Sequence, residues 1–133
     1  MKDSAIYLDS SALIKLVFEE AESAALRAFL SDHPRRASSV LARVEVLRTV
    51  GRVEDPAVTR DARELLGRVH LIRPDDAMLA AASEIRPPTL RTFDSIHLVT
   101  ALSLRPNLAG VVVYDRVLGD AARAAGLTVW APC

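Results

Sequence analysis

The sequence predicts an α/β fold, with helices covering both faces of a parallel sheet. Three observations lead there. Short uninterrupted apolar runs, Ala5–Leu8 and Gly110–Tyr114 the clearest, suit strands buried on both faces. Segments with apolar residues three and four apart lie between such runs, which is helical spacing. The two kinds alternate along the chain, as successive β-α units require. Length sets the scale: 133 residues fit one domain with one core, taken as 1–133. Half the residues are hydrophobic and 26% are charged, a globular composition and not a disordered one.

Ala5–Leu8 forms the first strand and ends at Asp9. Ser10 and Ser11 then open a helix with a serine cap, running through Val17. Ala21–Leu30 is helical and Pro34 ends it. Ala37–Val40 is a short strand, followed by a helix over Leu41–Val53 with its stripe on Leu41, Val44 and Leu47. Asp55-Pro56 starts the next helix, with proline at an early position, and the helix stops near Gly67. Val69–Ile72 is strand-like. Asp75 or Asp76 caps a helix through Ala82. Arg86 to Thr92, with Pro87-Pro88, is a loop. Thr92 caps a helix over Phe93–Leu104. Gly110–Tyr114 is a strand ending at Asp115, ahead of a helix at Val117. Ala121–Ala125 is helical, Gly126 is its stop, and Leu127–Trp130 is the last strand.

The composition excludes several classes. The 17 basic and 17 acidic side chains cancel, so bulk charge does not hold nucleic acid. The charge is uneven, however. Residues 34–74 carry nine arginines against five acids, and residues 1–33 carry three basic groups against six acids. Most of those arginines read as solvated helix faces, and a subset could grip phosphate. The lone Cys133 forbids an intrachain disulfide and a cysteine metal cluster, which suits a reducing cytoplasm. The start, with Asp3 and Asp9, is not a signal peptide. No apolar run is long enough to span a membrane. Aromatics are too few for a base-stacking sheet face.

Chemistry concentrates in four acids. In an open parallel sheet, ligands bind beyond the carboxyl ends of the strands. Asp9 and Asp115 stand there, and each alone reads as a helix cap. Glu45 interrupts an apolar stretch and could simply pair with Arg48. Asp94 sits in the first turn of a helix, where the dipole favours an acid. His97 follows one turn later, and a single histidine there reads first as a packed, hydrogen-bonded residue. Clustered at one sheet end, the four would repel unless a cation neutralised them. Four hard oxygen donors without cysteine or a histidine pair point to Mg²⁺ or Mn²⁺, not zinc.

The strings IYLDSSALIKLVFEE, ASSVLARVEVLRTV, TFDSIHLVTAL and VVVYDRVLGDAARAAGLTV resemble the PIN-domain ribonucleases, specifically the VapC-type toxins of toxin–antitoxin pairs. They occur in family order and cover nearly the whole chain. The resemblance implies a three-layer α/β/α sandwich around a parallel sheet of four to five strands. It implies an acidic pocket in which Asp9, Glu45 and Asp94 are central and Asp115 is the more variable fourth, holding Mg²⁺ or Mn²⁺. Ser11 matches the small hydroxyl residue that accompanies the first acid. His97 matches a position often filled in the family's DxxH-like segment, and reads as a support behind the acids or as packing, not as a ligand. The implied activity is endonucleolytic cleavage of RNA. The implied partners are a VapB-type antitoxin and a second copy of the chain. Val113 departs from the pattern, standing where threonine or serine is common, so a hydroxyl contact there is lost.

Two other classes fit the sequence less well. A phosphoacceptor receiver domain needs a lysine after a late strand, and the only lysines are Lys2 and Lys15. An inactive PIN-like interaction module would have lost an acid, and all four positions keep theirs. Lys15 could contact phosphate or be solvated. Leu13, Leu16, Val17, Phe18, Leu26, Phe29 and Leu30 give the first two helices many apolar groups. Most read as core, and a minority could form a groove for an antitoxin helix or a dimer seam.

Overall fold

A computed structural model describes residues 4–133. The elements are β1 (Ala5–Leu8), α1 (Ser10–Lys15), α2 (Ser23–Ser31), β2 (Arg36–Ser39), α3 (Val40–Gly51), α4 (Pro56–Gly67), β3 (His70–Ile72), α5 (Asp76–Glu84), α6 (Thr92–Ser103), β4 (Leu108–Val112), α7 (Arg116–Ala124) and β5 (Val129–Trp130). The five strands form one sheet in the order β3-β2-β1-β4-β5, and every pairing is parallel.

Strand alternation separates two cores. Ile6 and Leu8 of β1, with Val112 of β4, pack against α1 to α4. Tyr7, Val111 and Val113 point the other way, toward Leu98 and Ala101 of α6 and Leu118, Ala121 and Ala122 of α7. A period of two along β1 and β4 therefore gives two apolar faces and three layers. The register pairs Tyr7 with Val111 and Leu8 with Val112, which brings the ends of β1 and β4 side by side. The chain winds outward from β1 through β2 and β3, then returns to β4 on the other side. The crevice between β1 and β4 is thus the topological switch point of the sheet.

Local chemistry sets several boundaries differently from the sequence expectation. Asp9, not a serine, caps α1, accepting from the Ala12 amide at 3.0 Å. The extended backbone at Asp9 puts its carboxylate, and neither serine hydroxyl, on that amide. The helix ends at Lys15, two residues early. Thr92 is the first residue of α6 and not its cap; Arg91 holds the cap position without a side-chain bond. β4 ends at Val112, so Asp115 follows a two-residue link rather than the strand itself. α7 already begins at Arg116, because Asp115 caps it through the Leu118 amide at 2.9 Å. Asp55 and Asp75 cap α4 and α5 as expected.

Two glycines are dictated by geometry. A Cβ on Gly110 would lie 2.5 Å from the Trp130 ring and 2.6 Å from the Thr128 carbonyl oxygen, so only glycine lets β5 close on β4. Gly126 ends α7 with φ +92°, a left-handed conformation that side chains resist.

The apolar residues of the first two helices are core. Leu13, Leu26 and Leu30 are fully buried, and Leu16, Val17, Phe18 and Phe29 pack against the same cluster. The exposed large apolar side chains lie elsewhere, at Val44, Val53, Leu79, Phe93 and Val117. Among the described residues, no helix is long and apolar enough to cross a membrane.

Candidate active site

The four acids come from four segments, and their charges reach one another near the carboxyl ends of β1 and β4. Asp9 follows β1 and is 4% exposed. Its Oδ1 accepts from the Ser11 hydroxyl at 2.8 Å and from the Ala12 amide, and among the described residues no hydrogen bond falls on Oδ2. Burial pushes its carboxyl above the usual carboxylate range. The Ala12 and Ser11 donors pull it back in part, and the charge on Asp94 adds to the rise.

Glu45 lies in α3, which Ser39 caps and which buries Ala42, Val46 and Val50 against the sheet. That face leaves Glu45 half-buried at the edge. Its Oε1 accepts from the Ser10 hydroxyl and lies 3.1 Å from His97 Nε2. Burial opposes its charge, but the His97 and Ser10 hydrogen bonds outweigh burial, and its carboxyl sits below the usual range. Asp94 stands in the first turn of α6, with Arg91 Nε 3.7 Å from Oδ2. Burial raises its carboxyl; Arg91 counters this, and the charges on Asp115 and Glu45 reinforce it. Asp115 spends Oδ2 on its cap.

Asp94 therefore feels Asp9, Glu45 and Asp115 together, and the four acids share one electrostatic neighbourhood. They remain an open mouth. Among the described residues, no three acid or imidazole groups stand close enough to enclose a cation by themselves. That arrangement fits Mg²⁺ or Mn²⁺, hard cations that keep several waters and take one or two carboxylates plus substrate phosphate. A cation beside Asp9 and Asp94 would favour their ionised forms against burial. Among the described residues, no hydrogen bond falls on Asp9 Oδ2, Glu45 Oε2 or Asp115 Oδ1.

The sequence profile of the PIN domain matches residues 6–124. The chain belongs to the PIN-domain family. Within it, the chain is 43% identical over 129 residues to Ribonuclease VapC46 of Mycobacterium tuberculosis strain ATCC 25618 / H37Rv, covering 97% of this chain and 98% of that one. It is 36% identical over 131 residues to Ribonuclease VapC47 of strain CDC 1551 / Oshkosh, covering 96% of each. Solved structures share the fold. A toxin–antitoxin complex from Klebsiella pneumoniae superposes with a TM-score of 0.68 at 22% identity, over 84% of this chain and 87% of that one. VapC20 of M. tuberculosis, a toxin that cleaves the sarcin–ricin loop, superposes at 0.67 with 16% identity, over 92% and 96%. The three-layer PIN architecture with a five-stranded sheet agrees with the expectation.

Around this PIN-domain site, Ser11 touches Asp9, and His97 touches Glu45. Val113 is buried in the second core and offers no hydroxyl. Lys15 is neither solvated nor free for phosphate. Its Nζ pairs with Glu22 at 2.8 Å and Glu20 at 3.2 Å, and sits 4.7 Å from the centre of the Tyr114 ring. Sequence reasoning missed Ser10 and Tyr7. Ser10 was read only as a turn residue or cap. Tyr7 was read only as one more apolar strand residue, although a buried phenol in an aliphatic strand signals a hydrogen-bond partner.

Proposed function

We propose that this VapC-family chain is a Mg²⁺- or Mn²⁺-dependent endoribonuclease and the toxin of a toxin–antitoxin pair. One observation carries the reading. Four acids from four segments lie within electrostatic reach of one another near the ends of β1 and β4, and two of them ionise against burial and like charge, a signature that clusters at functional sites.

In this reading Asp9, Glu45, Asp94 and Asp115 surround the cation, one or two of them bound directly and the others through its waters. When bound, it supplies Lewis-acid stabilisation of phosphodiester charge and acidifies the attacking water. The protein's own groups do the rest. The Ser11 hydroxyl and the Ala12 amide fix Asp9 Oδ1, so the carboxylate cannot rotate. Ser10 and His97 fix Glu45 Oε1 in the same way. Arg91, with a side chain 82% exposed beside Asp94, is placed to meet an approaching phosphate. Regional excess of arginine in 34–74 offers further contacts without coating RNA indiscriminately.

The partners follow from the same reading: RNA as substrate, a VapB-type antitoxin that inhibits the site, and a second copy of the chain as homodimer. The PIN unit spans 1–133 and works in the cytoplasm. The decisive experiment expresses the chain and sequences newly formed RNA 5′ ends, beside Asp94→Asn. Discrete ends that vanish in the variant support the reading and name the target. Identical ends from both chains overturn it.

A further inference from the structure

The buried groups behind Glu45 are more ordered than a packed core requires. His97 is 3% exposed, and both ring nitrogens have partners. The Tyr7 hydroxyl lies 2.6 Å from Nδ1, and Glu45 Oε1 lies 3.1 Å from Nε2. Ser10 Oγ stands 3.1 Å from Nε2 and donates to the same Oε1. These groups come from β1, α1, α3 and α6, so one polar chain ties four elements together.

The direction of that chain follows from donor chemistry. An ionised carboxylate only accepts, so Nε2 carries the hydrogen. In the tautomer whose Nε2–H faces Glu45, Nδ1 accepts, and the Tyr7 phenol donates to it. Burial keeps that phenol protonated. Reversing the tautomer would set two lone pairs, on Nε2 and Oε1, against each other.

We infer that Tyr7 is a positioning residue: acting through His97, it pins Glu45 Oε1 and leaves Oε2 for a divalent cation. The inference rests on the reading of the four acids as cation ligands. Its support is the distribution of hydrogen bonds. Both donors to Glu45 fall on Oε1 and none on Oε2. Asp9 repeats the pattern with two donors on Oδ1, and Asp115 with one on Oδ2. A carboxylate held by one oxygen presents the other in a fixed direction. Outer partners of metal ligands work in this way, and losing one commonly lowers metal affinity about 10–100-fold. A Tyr–His pair that merely filled the core would contribute to stability and leave cation affinity alone.

The test is calorimetric titration of Mn²⁺ into the purified full chain, without RNA. Tyr7→Phe removes only the hydroxyl. The expected result is a dissociation constant raised about tenfold or more. Leu65→Ala on α4 is the control: it destabilises the core on the sheet face opposite Tyr7, removes no hydrogen bond of the relay, and should keep wild-type affinity. In a His97→Ala background, Tyr7→Phe should bring no further loss, because the relay is already broken. Wild-type affinity in Tyr7→Phe overturns the inference, as does full additivity with His97→Ala. Should Tyr7→Phe fold poorly, Ser10→Ala is the second arm, and it too should weaken Mn²⁺ binding; unchanged affinity there counts against the anchoring of Oε1. A wild-type chain that binds no Mn²⁺ refutes the cation reading itself, a distinct outcome.

Discussion

Asp9 both caps α1 and, in the proposed site, ligates the cation, and two substitutions separate those roles. Asp9→Asn keeps an amide oxygen to accept from the Ala12 N–H and the Ser11 hydroxyl, and removes the charge. Asp9→Ala removes cap and charge together. The cap is worth about 0.5–2 kcal/mol. For a chain of this size that is roughly 3–5 °C of melting temperature per kcal/mol. Burial raises the Asp9 carboxyl in the folded chain. The group therefore favours folding below its unfolded pKa, and that advantage is lost as pH rises through the folded value. At neutral pH the ionised carboxylate is a liability, which asparagine lifts. The expected order of melting temperatures in chelator at pH 7 is Asn above wild type above Ala. The gap between Asn and wild type should shrink as the pH falls. Excess Mn²⁺ should raise wild type alone, by about 2.7 kcal/mol at a hundredfold excess over its dissociation constant. Both variants should lose RNA cleavage. Equal destabilisation by Asn and Ala would refute the division of roles, and retained cleavage in both would refute the site.

Asp94→Asn should likewise stabilise the cation-free chain at neutral pH, since burial and its like-charged neighbours hold that carboxyl high; a thermal scan beside a cleavage assay checks both signs. Glu45 has the opposite sign: its carboxyl is lowered, so its contribution to folding is present at neutral pH and lost as the pH falls. Glu45→Gln should therefore melt below wild type at pH 7 and approach it in acid. Gly110→Ala forces a Cβ against the Thr128 carbonyl and the Trp130 ring, and should cost about 1–3 kcal/mol; an unchanged melting curve would show that β5 can shift aside.

Much of this was legible in the sequence because the signals are local. An apolar run, a cap and a helical stripe each need only a few neighbours, and they placed all five strands and nearly every helix. The four acids were legible because polar residues at strand ends and in apolar stretches break a pattern. Cap identity was less accessible. Asp9, Ser10 and Ser11 are all good caps, and only the backbone turn decides which oxygen meets the Ala12 amide. Lys15 was misread for a related reason, since Glu20 and Glu22 reach it across a turn after α1. The Tyr7–His97 contact spans 90 positions, and nothing local to either residue announces it.

The strand order has a consequence for synthesis of the chain. β1 is the central strand, and one of its two neighbours, β4, is made near the end. Fragments that stop before β4 contain Asp9, Glu45 and Asp94, yet they leave one edge of β1 bare and lack Asp115. A chain that stops before β4 lacks both the completed β1/β4 crevice and one of the four proposed acids, and is expected not to cleave RNA.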